Sequence, residues 1–284
     1  MSEPSTWTPS AEQAERDAWR RQQRLSRTFL AALSTILVLG LLLWVVVRSP
    51  GWDRVRDTYF NLHEARSALP AILDGFATNI RLFLVAEVAI LAVGLLVALI
   101  RVVPSPGLAP LKVLAVVYTD VSRGTPTILV VFLIGFGLPA LRLQGVPVDP
   151  FLLGVIALTF SYGGYVAEVL RSGIASVHPS QWASGRSLGL SYGQTLRAVV
   201  LPQGIRRVIP PLVNDFASLQ KDTALISVIG VVEAMRAAQI ESSRAFNFTP
   251  YVVAAVGFIL LSVPFARLTD YLSLRMTRRD QGLA

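Results

Sequence analysis

A few of the residues able to do chemistry in this chain stand where charge is costly. Glu168 and Arg171 follow a long apolar run and lie three apart, close enough to pair on one helix face. Such a pair suits a packing or gating device. Glu87 sits in another apolar run, six residues from Arg81, the wrong spacing for a local helical pair. An ionisable group at the centre of a membrane helix costs about 2.5–3.5 kcal/mol, so Glu87 must face a partner on another helix or the amine of a solute. Asn214-Asp215 and Lys221-Asp222-Thr223 come shortly after Pro210-Pro211, where missing amide donors predict an interrupted helix. Lys221 beside Asp222 would complement the carboxylate and ammonium of a zwitterion, and equally the two could hold the break together by pairing with each other or with a neighbouring subunit.

Other chemistry lacks a framework. Cysteine is absent, and His63 and His178 lie too far apart to suggest a local metal site. There is no His-Glu-x-x-His helix, so a zinc hydrolase of that kind is not indicated. Lys112 and Lys221 are the two lysines, and neither follows a glycine. Without a Gly-x-x-x-x-Gly-Lys-Ser/Thr loop the chain has no nucleotide site of this kind and is not expected to be an ATPase.

The elements that must position these groups are apolar and clustered. Of 284 residues 53% are hydrophobic, yet the formal charge is +8. That combination fits a polytopic membrane protein better than a nucleic-acid binder, whose basic residues would not be separated by spans of this length. Thr28 to Val47 has no charge and is long enough to cross about 30 Å of hydrocarbon. The charged tail before it is too long for a signal-peptide n-region, so it reads as a true span. Further spans are predicted at Phe76 to Ile100, Val113 to Leu138, Phe151 to Leu170, Ile205 to Leu219 and Tyr251 to Leu272. The expected fold is therefore all-α, a polytopic integral membrane protein with about six transmembrane helices.

Arginines set the expected orientation. The tail over residues 1–27 carries Arg16, Arg20, Arg21, Arg24 and Arg27, and the chain ends with Arg275, Arg278 and Arg279. Both termini are placed in the cytosol, and with them the segment holding Arg171, Arg186, Arg197, Arg206 and Arg207. The loop with Arg48, Arg54, Arg56 and Arg66 runs against this rule. Within the basic segment, QWASGRSLGLSYGQTLRAVVLPQ (Gln181 to Gln203) predicts a short helix from Gln181 to Leu188, a left-handed cap at Gly189, and a second helix from Ser191 to Val200 stopped by Pro202. Small residues at Ala183, Ser184, Gly185 and Ser187 leave the first helix with little bulk, so it could lie in another protein's groove or pack on the chain's own underside. Gly135, Gly137, Gly163 and Gly164 allow close helix approach.

AEVLRSGI (Ala167 to Ile174), the elbow with its Leu201-Pro202-Gln203 close, IPPLVND and LQKDTALISVI (within Ile209 to Ile229), VSRGTP (Val121 to Pro126) and Leu73 to Val102 occur in one order. Together they resemble the membrane subunit of ATP-binding-cassette importers for polar amino acids. The resemblance covers about residues 73–276, a transmembrane domain of five helices with a coupling segment at 178–203. It leaves residues 28–48 as an accessory span and 277–284 as a cytosolic tail. It implies a coupling helix at the elbow, with Gln181, Ala183, Ser184, Gly185, Arg186, Leu188 and Gly189 as its coupling residues, two copies of a separate ATPase subunit that binds ATP and Mg, an extracytoplasmic amino-acid-binding protein, and a second permease subunit, identical or related. No cofactor in this chain and no nucleic-acid partner are implied, and the location would be the bacterial cytoplasmic membrane. One departure stands out: where that family's elbow usually reads Glu-Ala-Ala before the glycine, this chain has Ala183-Ser184-Gly185. The alternatives are an ion-gradient-driven transporter, which would not need an elbow of this pattern, and a non-transporting scaffold, which could keep the elbow as a docking site.

Overall fold

The computed structural model describes residues 10–280 and forms two units, 1–57 and 58–284. Among the described residues there are helices and no strands. The first unit is dominated by α1 (Ala11–Val47), opened by a capping box in which Ser10 and Gln13 satisfy each other's backbone amides. Residues Ser26–Val47 form a candidate span with every side chain exposed. The helix starts well inside the segment expected as a tail, because that segment is rich in helix formers and carries Glu12 in its first turn. Helix α2 (Trp52–Tyr59) leads to the second unit.

That unit is built on α3 (Leu62–Val102) and α7 (Pro150–Ala175). Their facing sides bury Leu82, Ala86, Ile90, Leu153, Leu158 and Val166. Close approach depends on Gly94, where an added Cβ would lie 2.5 Å from Val166 Cγ1. Helix α4 (Ala109–Gly124) crosses α7 at Gly163 and Gly164, against Tyr118 and Ser122, and Tyr118 donates to the Phe160 carbonyl at 3.0 Å. The sequence expectation for these two glycines holds, as it does for Gly135 against Ile229, whereas Gly137 has open space beside it.

Two of the expected spans are bent. After α4 the chain turns by 106° into α5 (Thr127–Phe132), followed by a π-turn at Leu133–Gly137 and α6 (Leu138–Ala140). Pro126 excludes Thr125 from the helical region, and Thr125 is extended. Helices α8 (Pro179–Ser187) and α9 (Tyr192–Thr195) form the elbow, and a second π-turn at Leu196–Val200 runs directly into α10 (Leu201–Asp222). The expected stop at Pro202 does not occur. The Leu201 amide reaches back five residues to the Leu196 carbonyl, and Pro202 lies in the first turn of the continuing helix, where it needs no amide. Nor do Pro210 and Pro211 break α10; their fixed φ is helical, and membrane helices tolerate proline where neighbours re-satisfy the freed carbonyls. The interruption comes twelve residues later, at a 3-10 segment (Thr223–Ile229) that ends at Gly230 with φ +100°. Helices α11 (Ala234–Ala245) and α12 (Thr249–Asp280) complete the chain. Among the described residues four helices are long and apolar enough to cross a membrane, or up to six with each bent pair taken as one span.

The second bend is held from inside. Glu233, fully buried, accepts from the Met235 and Arg236 amides at 2.9 and 2.8 Å and so caps α11. Asn79 of α3 donates to Glu233 Oε2 (3.1 Å) and to Thr223 Oγ1 (2.9 Å), and accepts from the Ala234 amide (3.0 Å). Gly75, one turn earlier on α3, lets the helices meet, since a Cβ there would lie 2.5 Å from the Ala234 nitrogen. Replacing Asn79 by Leu leaves a buried amide and one carboxylate oxygen short of partners. We expect a loss of about 2–4 kcal/mol, read by thermal unfolding of the full chain in detergent; a loss below about 1 kcal/mol would mean that this clamp does not hold the bend.

Candidate functional site

The elbow is closed by its own residues. The His178 ring accepts from the Ser180 amide at 3.2 Å, which caps α8, and this exposed histidine has no further duty to explain. At the other end Gly189 adopts φ +81°. Its amide bonds to Arg186 O (3.0 Å), and the Leu190 amide bonds to Gly185 O (3.2 Å). This is a Schellman ending, which satisfies the last carbonyls of α8. Ser191 and Gln194 form a capping box for α9, and Trp182 stacks on Tyr192 at 4.9 Å between ring centroids. Gly185 is buried, and a Cβ there would meet Thr195 Cγ2 at 2.6 Å. Gly185 therefore seats α8 on α9 and does not present itself to a partner, in contrast to the sequence expectation.

The outward face is made of Gln181, Ala183, Ser184, Arg186, Leu188 and Gly189, all exposed. Leu188 is 81% exposed, an unusual placement for a leucine in so well-capped a turn. The elbow is tied to the membrane helices at two points: Tyr192 Oη donates to the Val102 carbonyl at the end of α3 (3.5 Å), and Gln203 Nε2 donates to Gln181 Oε1 (3.3 Å).

Above it lies an ion cluster larger than the expected pair. Arg171 Nη2 donates to Glu168 Oε1 (2.5 Å) and its Nε to Oε2 (3.1 Å). Arg101, at the end of α3, donates to Glu168 Oε2 at 2.8 Å and to Thr119 Oγ1 at 3.3 Å. One carboxylate thus joins α3, α4 and α7. Arg101 was missing from the sequence reading because it is far from Glu168 along the chain; its position at the end of an apolar run was the available signal. Arg101, Arg171, Trp182 and Tyr192 line a cavity of about 450 Å³ that extends from the triad to the elbow.

A second polar seam runs between α3, α7 and α10. Glu87 and Asp215 are half-buried and near enough for their charges to interact. Each keeps one buried oxygen, Glu87 Oε1 and Asp215 Oδ2, without a partner within the chain. Tyr162 donates to Asp222 Oδ2 at 2.8 Å. The expected adjacency of Lys221 and Asp222 is not an ion pair among those of the described residues; Lys221 is exposed, while Asp222 turns inward to Tyr162. Asn214 is exposed, and Thr223 is fully buried in the clamp with Asn79. Of the six candidate path residues, the structure brings Glu87, Asp215 and Asp222 into one seam, places Thr223 in the core, and leaves Asn214 and Lys221 outside. Tyr162, Asn79 and Glu233 are additions from structure. Asn79 and Glu233 were visible only as isolated polar residues beside apolar runs.

Comparison with known proteins agrees with this architecture. Residues 92–278 match the family described as binding-protein-dependent transport system inner membrane component. The arginine transport system permease protein ArtQ of Bacillus subtilis (strain 168) is 31% identical over 194 residues, 68% of this chain and 86% of that one. The glutamate transport system permease protein GluC of Corynebacterium glutamicum is 35% identical over 218 residues, 73% of this chain and 94% of that one. Among solved structures, an amino acid ABC transporter crystallised with histidines superposes with a TM-score of 0.66 at 32% identity, covering 73% of this chain and 94% of that one. An inward-facing structure of the MetNI methionine ABC transporter gives 0.59 at 16% identity, covering 71% and 94%, which bears on the fold alone.

The triad makes a measurable claim. Removing Arg101 leaves Glu168, partly buried, with one cation in place of two. Arg101→Ala should lower stability by about 1–3 kcal/mol, and a double-mutant cycle with Glu168→Gln should give a coupling of about 1–2 kcal/mol. Thermal unfolding of the four proteins in one detergent checks it; a coupling within about 0.3 kcal/mol of zero would reduce the triad to an incidental contact.

Proposed function

Because the chain belongs to the family of binding-protein-dependent transport system inner membrane components, and is an ABC transporter permease, we propose that it carries a polar amino acid inward across the bacterial cytoplasmic membrane. In this reading the chain itself performs no hydrolysis. A separate ATPase subunit, in two copies, binds ATP and Mg and docks on the elbow. An extracytoplasmic binding protein delivers the amino acid, and a second permease subunit, identical or related, completes the path. Both termini and the elbow lie in the cytosol.

The observation that carries this reading is the construction of the elbow. A helix capped at both ends and stacked on a neighbour that is itself joined without a break to a 22-residue helix would act as a lever with an exposed apolar tip, Leu188. Such an element would transmit the closure of a partner's cleft. With no acidic residue at Ala183-Ser184, either the partner's cleft differs to suit or Arg186, Gln181 and backbone groups carry the polar share of the contact. The seam of Glu87, Asp215 and Asp222 offers unpartnered carboxylate oxygens for the ammonium of the solute, and Asp215 with Glu87 would set the sign of the site. The triad of Glu168, Arg101 and Arg171 then stands between the seam and the elbow, where opening to one side or the other must rearrange contacts.

Leu188→Asp tests this directly, since the side chain is exposed and its replacement should change the stability of the isolated chain by less than about 0.5 kcal/mol. We expect the complex with the ATPase to weaken by ten-fold or more. ATP-dependent uptake of labelled amino acids into proteoliposomes, with the binding protein present, should fall in proportion. Uptake that persists without ATP and follows an ion gradient would sink the proposal in favour of a secondary transporter. A complex that assembles normally but moves no member of a full amino-acid panel would favour a scaffold.

A further inference from the structure

Next to the elbow, the first two turns of α10 and the last turns of α12 enclose a groove of about 580 Å³. Arg206, Arg207 and Arg275 line it, and Gln203 closes the end nearest the elbow. Leu272 and Met276 supply an apolar wall. Among the described residues no carboxylate lines this groove. One of the three guanidinium groups is fixed in place: Arg207 Nη1 donates to the carbonyl and, at 3.1 Å, to the hydroxyl of Ser176 just past α7. Arg206 and Arg275 are exposed and have no ion pair among those of the described residues.

Three permanent cations around one concavity repel one another unless an anion sits between them. Arginine is the side chain best matched to phosphate oxygens, through its planar fork of donors. The volume falls in the range of small-ligand sites. The apolar wall narrows the choice of anion, since a free phosphate gains nothing from Leu272 and Met276, whereas a lipid places its glycerol and the start of an acyl chain against them. Basic pockets between membrane helices near the headgroup level are where anionic lipids bind.

We propose that this groove holds the phosphodiester headgroup of an anionic phospholipid, with the arginines on the phosphate and the acyl chain along Leu272 and Met276. The lipid then bridges α10 and α12 beside the elbow, so the stiffness of that lever depends on the lipid composition around it. Nothing in the amino-acid transport reading requires this site, and the two stand or fall separately.

The test uses the full chain purified in detergent, alone and with its ATPase partner. Bound ligand is counted by native mass spectrometry during titration with phosphatidylglycerol, phosphatidylcholine or inorganic phosphate. One phosphatidylglycerol per chain is expected to bind at least ten-fold more tightly than phosphatidylcholine. Arg206→Gln with Arg275→Gln should weaken it by roughly twenty-five-fold, at about five-fold for each charge removed near the headgroups. The pair Arg206→Lys with Arg275→Lys, which keeps the charge, should retain most of the affinity. Met276→Asp should weaken binding with all three arginines present, and Arg244→Gln, whose guanidinium pairs with Glu241 on α11, should leave it unchanged. Equal binding of the two lipids, or full affinity in the double glutamine variant, overturns the proposal. Inorganic phosphate competing for the same arginines overturns it in favour of a small-anion site. Loss of the ATPase or of a second chain from the double variant, with no change in lipid binding, assigns the groove to a protein interface instead.

Discussion

In hydrocarbon, a broken helix exposes backbone groups that water cannot reach, and the fold of this chain depends on how one such break is satisfied. Between Asp222 and Ala234 the chain leaves α-helix, passes through a 3-10 segment and turns at Gly230. The first amides of α11 would be left bare at that point. Glu233 takes two of them, Asn79 takes a third, and the Asn79 amide group ties both to Thr223. The network is complete on the α3 side only because Gly75 allows α3 to come against the Ala234 backbone. Gln220 extends it to α12, since its Oε1 accepts from Ser262 at 2.7 Å.

The same device recurs at the other bend in a weaker form. Thr125 turns its hydroxyl back to the Val121 carbonyl at 2.8 Å and so covers one orphan acceptor at the end of α4. Pro126 then starts a new direction at no loss of an amide bond. Both π-turns, Leu133–Gly137 and Leu196–Val200, come immediately before a Leu-Pro pair that continues as helix. The wider turn takes up the residue whose amide proline lacks, so proline is accommodated where the pattern alone predicts a stop.

Much of this was legible. The spans follow from the length of predominantly apolar runs, and the cap at Gly189 follows from a glycine set between two helical patterns. The Glu168 and Arg171 pair follows from a spacing of three. What was not legible is whatever depends on register between distant segments. Pro210 and Pro211 marked a break, but helix termination there would have required the following residues to find partners outside α10, and Thr223 finds them first. Lys221 and Asp222 are neighbours in sequence and face opposite environments, because adjacent residues on a helix point about 100° apart. Arg101 and Asn79 carry no local pattern, since each acts on residues brought close only by the packing of α3 against α7 and α11. Gly185 was assigned to the outward face because the first helix has small residues on every side, and only the position of Thr195 decides which side is covered.

The continuity of the chain from the elbow to the seam has a mechanical consequence. Helix runs without interruption from Tyr192 through the π-turn and α10 to Asp222, about 45 Å of rise. A displacement at Tyr192, on which Trp182 of α8 stacks, would be carried along one element past Asp215 and to Asp222; Leu188 joins it through the turn at Gly189. The element is not uniformly stiff: Pro210 and Pro211 remove two amide bonds from it, and the π-turn at Leu196–Val200 widens it near the elbow. Rotation at these points changes how α10 faces α3 and α7, which is the contact that Tyr162 and Asp222 make. The far end is held by Thr223 in the clamp, so a lever moved at the elbow pivots against a point buried beside Asn79. In this geometry the clamp and the elbow are two ends of a single part, and the half-buried carboxylates sit between them, where a change in helix orientation alters their surroundings most.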